Sequence, residues 1–172
     1  MHEGAYRFVA DAVKRIDMRW SVIELGSRTV AGDWPYSGPV RPLFNVAEYV
    51  GVDIAEGPNV DVIANAAQWR PNDHPLGECF DTVVCCETLE HAPEAEMICL
   101  NAWQLLKEGG VLLTTMASEG RAPHSAVDGG PLRDGEFYRN VSRDQLRKWL
   151  TPFTFILIDT DTPTDIYALA VK

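Results

Sequence analysis

The chain has 172 residues, 46% of them apolar and 23% charged, which suits one domain with its own core and is short for two. Its formal charge of −10 repels a phosphate backbone and makes duplex nucleic acid a poor partner. No apolar run approaches the roughly 18 residues of a membrane span. The opening MHEGAYRFVADAVKRIDMRW lacks the apolar stretch of a signal peptide, so a cytoplasmic protein without a membrane partner is expected. Cys79, Cys85, Cys86 and Cys99 form no CxxC pair and are expected as reduced thiols.

In chain order, Tyr6, Val9, Ala10, Val13 and Ile16 recur at helical spacing and predict an amphipathic helix over 5–17, within an N-terminal helical segment 1–18. Short β-branched runs predict strands at 21–25, 48–53, 60–64, 81–86, 111–115, 154–158 and 166–171. Pro93, the acids Glu94 and Glu96, and Gly109 after Lys107 frame a helix over 93–107, with Trp103 as core filling. Ser142-Arg143-Asp144-Gln145 is a capping box that opens a helix running to about Leu150. Residues 27–47 carry Gly32, Pro35, Gly38, Pro39 and Pro42 and predict an irregular link with at best one helical turn near 43–47. The link from Asp53 to Val60 is too short for an ordinary parallel crossover, so the third strand is expected as a stub at the sheet edge or not at all.

Alternating strands and helices predict a single α/β domain over 1–172: a Rossmann-like, seven-stranded, mostly parallel sheet, with ligands beyond the carboxyl ends of its strands. The last two strands, separated only by 159–165, are expected to pair antiparallel as a hairpin. The acidic excess lies in one place. Residues 48–96 hold eleven Asp and Glu against Arg70 alone, while the remainder carries fourteen acids and fourteen bases.

Val22-Ile23-Glu24-Leu25-Gly26-Ser27-Arg28 is an apolar strand ending in an acid and a glycine, the form of a ligand-binding turn. The dinucleotide fingerprint GxGxxG fails, because Arg28 stands at its second glycine. That failure, and the carboxylate of Glu24 at the turn, argue against a nicotinamide oxidoreductase and suit a cationic ligand better. Asp53 ends the second strand, a place where acids hold ribose hydroxyls. Asn65 follows the third, with an amide able to meet an adenine edge.

In this order the motifs resemble a class I S-adenosylmethionine-dependent methyltransferase over about 21–172. The resemblance rests on Glu24-Leu25-Gly26, on Val50-Gly51-Val52-Asp53, on Phe80 to His91 with its Leu89-Glu90-His91 signature, and on Lys107-Glu108-Gly109-Gly110. It implies the seven-stranded fold, S-adenosylmethionine as cofactor with S-adenosylhomocysteine as product, and transfer to an O or N atom of a small or medium-sized polar acceptor. It also implies roles. Glu24, Gly26 and Ser27 would meet the methionine part, Asp53 the ribose with Ile54 beside it, Asn65 and Ala66 the adenine, and Cys86 and Glu87 the sulfonium. The glycines usual after Gly26 are absent here, and the adenine-side acid is Asn65. A cofactor-binding module without methyl transfer, working with a protein partner, is the alternative function. The oligomeric state stays open.

A hydroxyl acceptor must lose a proton, for which a neutral histidine is the usual base. His124, in a polar substrate-side segment 117–141 beyond the fifth strand, is the first candidate, and His91 of the signature the second. Tyr138 and Arg139 of that segment are candidates for acceptor binding. Glu87, Glu90 and His91 form an ExxEH cluster, but on a turn the three need not converge and no further ligands are evident, so no metal is expected. Asp33-Trp34-Pro35-Tyr36 reads as an aromatic loop able to cover the cofactor.

Overall fold

The computed structural model describes residues 1–15, 21–30, 38–71, 79–159 and 164–172. The aromatic segment 33–36 lies outside them. At the centre is β1 (Ser21–Leu25), buried along its whole length. Ile23 and Leu25 face one hydrophobic layer and Val22 the other, the pattern of a strand covered on both faces. Around it β2 (Glu48–Asp53), β3 (Val62–Ile63), β4 (Phe80–Cys86), β5 (Leu106–Ala117), β6 (Phe155–Asp159) and β7 (Asp165–Val171) complete one sheet of order β3-β2-β1-β4-β5-β7-β6. The pairings from β3 through to β5 are parallel. β7 runs antiparallel to both β5 and β6, the hairpin expected from the short link between the last strands.

α1 (Glu3–Arg15) buries Ala5, Val9 and Ala12, and Val9 and Ala12 pack in one layer with Val84 and Leu113. α2 (Ala95–Leu105) and α3 (Arg143–Trp149) pack on the other face through Ile98, Ala102, Leu105, Leu146 and Trp149. At the start of α3 the capping box is complete: the Ser142 hydroxyl accepts from the Gln145 N–H and the Gln145 side chain accepts from the Ser142 N–H. Ser142→Ala is expected to destabilise the fold by about 1 kcal/mol, read as a lower urea midpoint at unchanged slope.

Three boundaries differ from the sequence reading. The helix framed by Pro93 and Gly109 spans only Ala95–Leu105, and β5 follows it without a loop. Leu106 is already paired with Phe80, and the register shifts before regular pairing resumes at Val111. Gly109, with φ +72°, therefore bends the start of a strand instead of closing a helix. The third strand shrinks to Val62–Ile63, the edge stub. There the Asp61 carboxylate takes the Gly51 N–H at 2.7 Å while the Asp61 N–H goes to the Gly51 carbonyl, so a side chain replaces the next rung of the ladder. The helical turn of the irregular link lies at Arg41–Leu43, with Pro42 in its first turn, and not at 43–47. Arg41 anchors it by donating to the Tyr49 carbonyl at 2.6 Å and to Asp61 at 2.8 Å.

Candidate active site

The strand order reverses at β1, which lies between β2 and β4, and a crevice is expected beyond the carboxyl ends at such a point. A cleft of about 1100 Å³ opens there, at the upper end of the range for ligand sites. Its walls are the segments that follow each parallel strand: Gly26 and Arg28 after β1, Asp53 to Ala55 after β2, Asn65 and Ala66 after β3, Glu87, Thr88 and His91 after β4, and residues 121–131 after β5. Met1 and His2 close one side.

Gly26 turns with φ +82°, and a Cβ there would run into the Thr88 side chain, so only glycine fits this turn. Its N–H and that of Ser27 both go to the Val52 carbonyl, which binds the turn to β2. Asp53 receives the Arg28 N–H on Oδ2 at 3.0 Å and the Ala55 N–H on Oδ1 at 3.0 Å. Each oxygen keeps a lone pair for a ligand. Beside it the Ile54 side chain is 76% exposed, an apolar surface at the cleft rim. Arg28, which occupies the place of the fingerprint's second glycine, lines the cleft and donates to the Ala126 carbonyl at 2.9 Å. It thereby ties the first turn to the segment after β5.

Glu24 stands one layer behind the wall. It is buried, and its Oε2 accepts from the Tyr49 hydroxyl at 2.8 Å and from Asn59 Nδ2 at 2.7 Å. Burial outweighs these bonds and raises its pKa to about 7. Ser27 and Cys86 are likewise buried and do not line the cleft; burial pushes the Cys86 thiol up, and the Glu24 charge adds to it. Asn65 does line it, but its Oδ1 accepts from the Ala67 N–H at 2.8 Å and its Nδ2 donates to Glu94 at 3.4 Å, so the turn-forming bond leaves one amide N–H for a ligand.

After β4 the backbone is strained. Glu87 has φ +52°, uncommon for a residue with a side chain and frequent at ligand sites. Its Oε1 accepts from the Thr115 hydroxyl at 2.9 Å. Glu90 is fully buried, with Oε1 on the Ala117 N–H at 3.1 Å and Oε2 without a partner; burial, followed by the Glu87 charge, raises its pKa to about 8. His91 and His124, 33 positions apart, meet edge to face with ring centroids 4.9 Å apart, and the Tyr138 ring touches both, at 5.4 and 5.0 Å. Burial, and then the neighbouring His124, lower the His91 pKa to about 4.

Tyr138 and Arg139, the expected acceptor-binding pair, do not line the cleft. The Tyr138 hydroxyl donates to Asn140 at 2.9 Å, and the Arg139 guanidinium donates to the Ala92 carbonyl at 3.2 Å while lying over Trp149 at 4.9 Å. Tyr138 packs the segment after β5 against His91, and Arg139 ties it to the turn before α2 and to α3. Arg28, Thr88, Arg121 and His2 are wall residues that sequence reasoning did not single out. Arg28 was visible as a departure from a glycine pattern, but nothing in the sequence marks His2, which reaches Asp165 at 3.3 Å only because α1 folds against the sheet.

Residues 37–114 match the family described as a methyltransferase domain. Among solved structures, the 1,6-didemethyltoxoflavin-N1-methyltransferase of Burkholderia thailandensis, with bound 1,6-didemethyltoxoflavin and S-adenosylhomocysteine, superposes with a TM-score of 0.65 at 14% identity, over 99% of this chain and 79% of that one. The phosphoethanolamine N-methyltransferase 2 of Haemonchus contortus, in complex with S-adenosyl-L-methionine, superposes at 0.69 and 12% identity over 99% of this chain, which spans 52% of that protein. The YcgJ protein of Bacillus subtilis matches at 0.68 and 11% identity over 99% of both chains. No curated protein matches the sequence. The chain has the class I S-adenosylmethionine-dependent methyltransferase fold, as its motifs lead one to expect. Among the described residues no helix is long and apolar enough to cross a membrane.

Proposed function

We propose that this chain transfers a methyl group from S-adenosylmethionine to an O or N atom of a small or medium-sized polar acceptor. The observation that carries the reading is the cleft at the switch point. Its volume of about 1100 Å³ suits a nucleoside cofactor together with an acceptor, and its two halves differ in chemistry. On the β1–β2 side, Gly26 allows close backbone approach, Asp53 offers carboxylate lone pairs to a ribose diol, and the exposed Ile54 with the largely buried Ala66 at the cleft wall offers an apolar surface to an adenine ring, with the Asn65 amide at its edge. Glu24 and Ser27 support this half from behind through Tyr49 and Asn59, and Cys86 backs the turn at Glu87. On the other side, His91, His124 and residues 121–131 face the space left for an acceptor.

The bound cofactor supplies a methyl group made electrophilic by its sulfonium. The chain's part is to hold the acceptor atom in line with it, which alone contributes much of the rate, and to remove the proton of a hydroxyl acceptor at the histidine side. The net charge of −10 favours a small acceptor over duplex nucleic acid, and four free cysteines suit the cytoplasm. Calorimetric titration tests the reading. S-adenosylmethionine and S-adenosylhomocysteine are expected to bind with micromolar affinity and NADH not at all; binding of NADH alone, or of none of the three to folded protein, overturns it. Cofactor binding without turnover across hydroxyl and amine acceptors would instead make the chain a binding module.

A further inference from the structure

Glu90, His91 and His124 each present a ligand atom, and the three atoms lie within 4.8 Å of one another. The ExxEH residues Glu87, Glu90 and His91 sit on a turn where the three need not converge, and no metal was expected from them; the cluster that forms leaves out Glu87 and takes in His124. Convergence arises from the segment after β5, which folds back and brings His124 onto His91. Two further features prepare these atoms. Glu90 is fully buried with Oε2 unpartnered, an arrangement that is costly when nothing fills it. Each imidazole is also held in the tautomer of a metal ligand. A carbonyl can only accept, so His124 Nδ1, 3.2 Å from the Ala122 carbonyl, is the donor nitrogen and Nε2 is the one that can face a metal. The His91 ring hydrogen-bonds the Phe137 carbonyl, while its Nδ1 is buried without a partner. Backbone carbonyls on the far nitrogen are the usual second support of metal-binding histidines.

We infer that Glu90, His91 and His124 form a binding site for a divalent first-row transition metal on the acceptor side of the cleft. Two imidazoles with one carboxylate suit zinc, cobalt(II), manganese or iron(II) over magnesium or calcium, which prefer oxygen alone. A tetrahedral ion with bonds of about 2.1 Å separates its ligands by about 3.4 Å, so a side-chain shift of up to about 1.4 Å, in reach of loop residue His124, closes the site. Glu87 and Glu136 add negative charge around it, and the nearby Arg121 is paired with Asp165 at 3.1 Å. Three protein ligands leave positions open toward the cleft. Resting on the methyl-transfer reading, the site selects a hydroxylated acceptor. The metal-held hydroxyl gives up its proton to solvent water, its oxygen forms the bond to the methyl carbon as the sulfur–methyl bond breaks, and the electron pair stays on the sulfur of S-adenosylhomocysteine. His91 and His124 are then ligands and not free bases.

The test uses tag-free protein titrated with Co²⁺ and followed by its visible d–d absorption, with Zn²⁺ competition and Mg²⁺ as the hard-ion control. The expected result is one tight Co²⁺ site per chain, displaced by Zn²⁺ and indifferent to Mg²⁺. It should weaken about 100-fold in His124→Ala, a loop variant that keeps the fold, and in His91→Ala and Glu90→Gln where circular dichroism shows them folded. It should be unchanged in Glu108→Gln, an exposed acid at the start of β5 outside the cleft lining. Absence of tight Co²⁺ binding, or binding that His124→Ala leaves intact, overturns the metal site. S-adenosylhomocysteine is titrated into the same samples: binding of that ligand without cobalt leaves the cofactor reading standing alone, and cobalt without that ligand removes the cofactor reading while keeping the metal.

Discussion

Asp53→Ala is expected to weaken S-adenosylmethionine binding by roughly 1 to 3 kcal/mol, on the order of 5- to 150-fold, because two hydrogen bonds from a ribose diol to a carboxylate would be lost. The fold itself should change little. The two N–H groups that Asp53 accepts, from Arg28 and Ala55, belong to partly exposed turns, where water can take over. Calorimetry and urea unfolding on the same variant separate the two outcomes. A loss of affinity at unchanged midpoint is the expected result and places the carboxylate in the binding site. Unchanged affinity would remove Asp53 from the ribose. A midpoint that falls along with the affinity would make it a residue that shapes the Arg28 turn, and the ligand contacts would then have to come from backbone and from Ile54.

Features written in local sequence were readable, and features written in the folding of distant segments were not. The β-branched runs, the Ser142 capping box and the terminal hairpin depend on neighbours along the chain, and the structure reproduces them. The early start of β5 depends on Phe80 pairing with Leu106, 26 positions away, and that tertiary contact overrides the helix-closing signal of Gly109. The stub at β3 was legible in the short link from Asp53, but its two-residue extent depends on the Asp61 side chain occupying a backbone site, which no strand propensity records.

The candidate site divides the same way. Gly26, Asp53 and Asn65 follow strands directly, so the topology alone brings them to the cleft. Glu24 lies on β1 just before the turn, but its carboxylate belongs to Tyr49 and Asn59, partners that β2 and the following turn supply. The histidine cluster was the least legible, since His124 reaches Glu90 and His91 only through an irregular segment packed down by Tyr138 and Arg139. Those two were expected at the acceptor. They instead shape the wall that places the residues facing it, and Arg28 joins that wall to the cofactor side.

Glu24 makes the stability of this fold depend on pH in a direction opposite to that of most carboxylates. Its pKa rises from an ordinary 4.5 to about 7 on folding, chiefly through burial, with Tyr49, Asn59 and Arg41 opposing the rise and Asp53 adding to it. The folded state therefore holds this proton more tightly than the unfolded chain. Its contribution is fully present below about pH 4.5 and is lost as pH rises to about 7, to the extent of about 3 kcal/mol. Glu24→Gln keeps an oxygen for the Tyr49 hydroxyl and the Asn59 amide and removes the charge. It is expected to match the wild type near pH 4.5, to exceed its stability by up to about 3 kcal/mol at pH 8, and to flatten the slope between. Glu24→Ala leaves both buried donors unpaired and should cost roughly 2 to 5 kcal/mol at low pH. Urea unfolding of the three proteins at intervals from pH 4.5 to 8 reads both effects. Parallel pH profiles for wild type and Glu24→Gln would mean that Glu24 is already ionised in the folded state, with water or Arg41 compensating its charge.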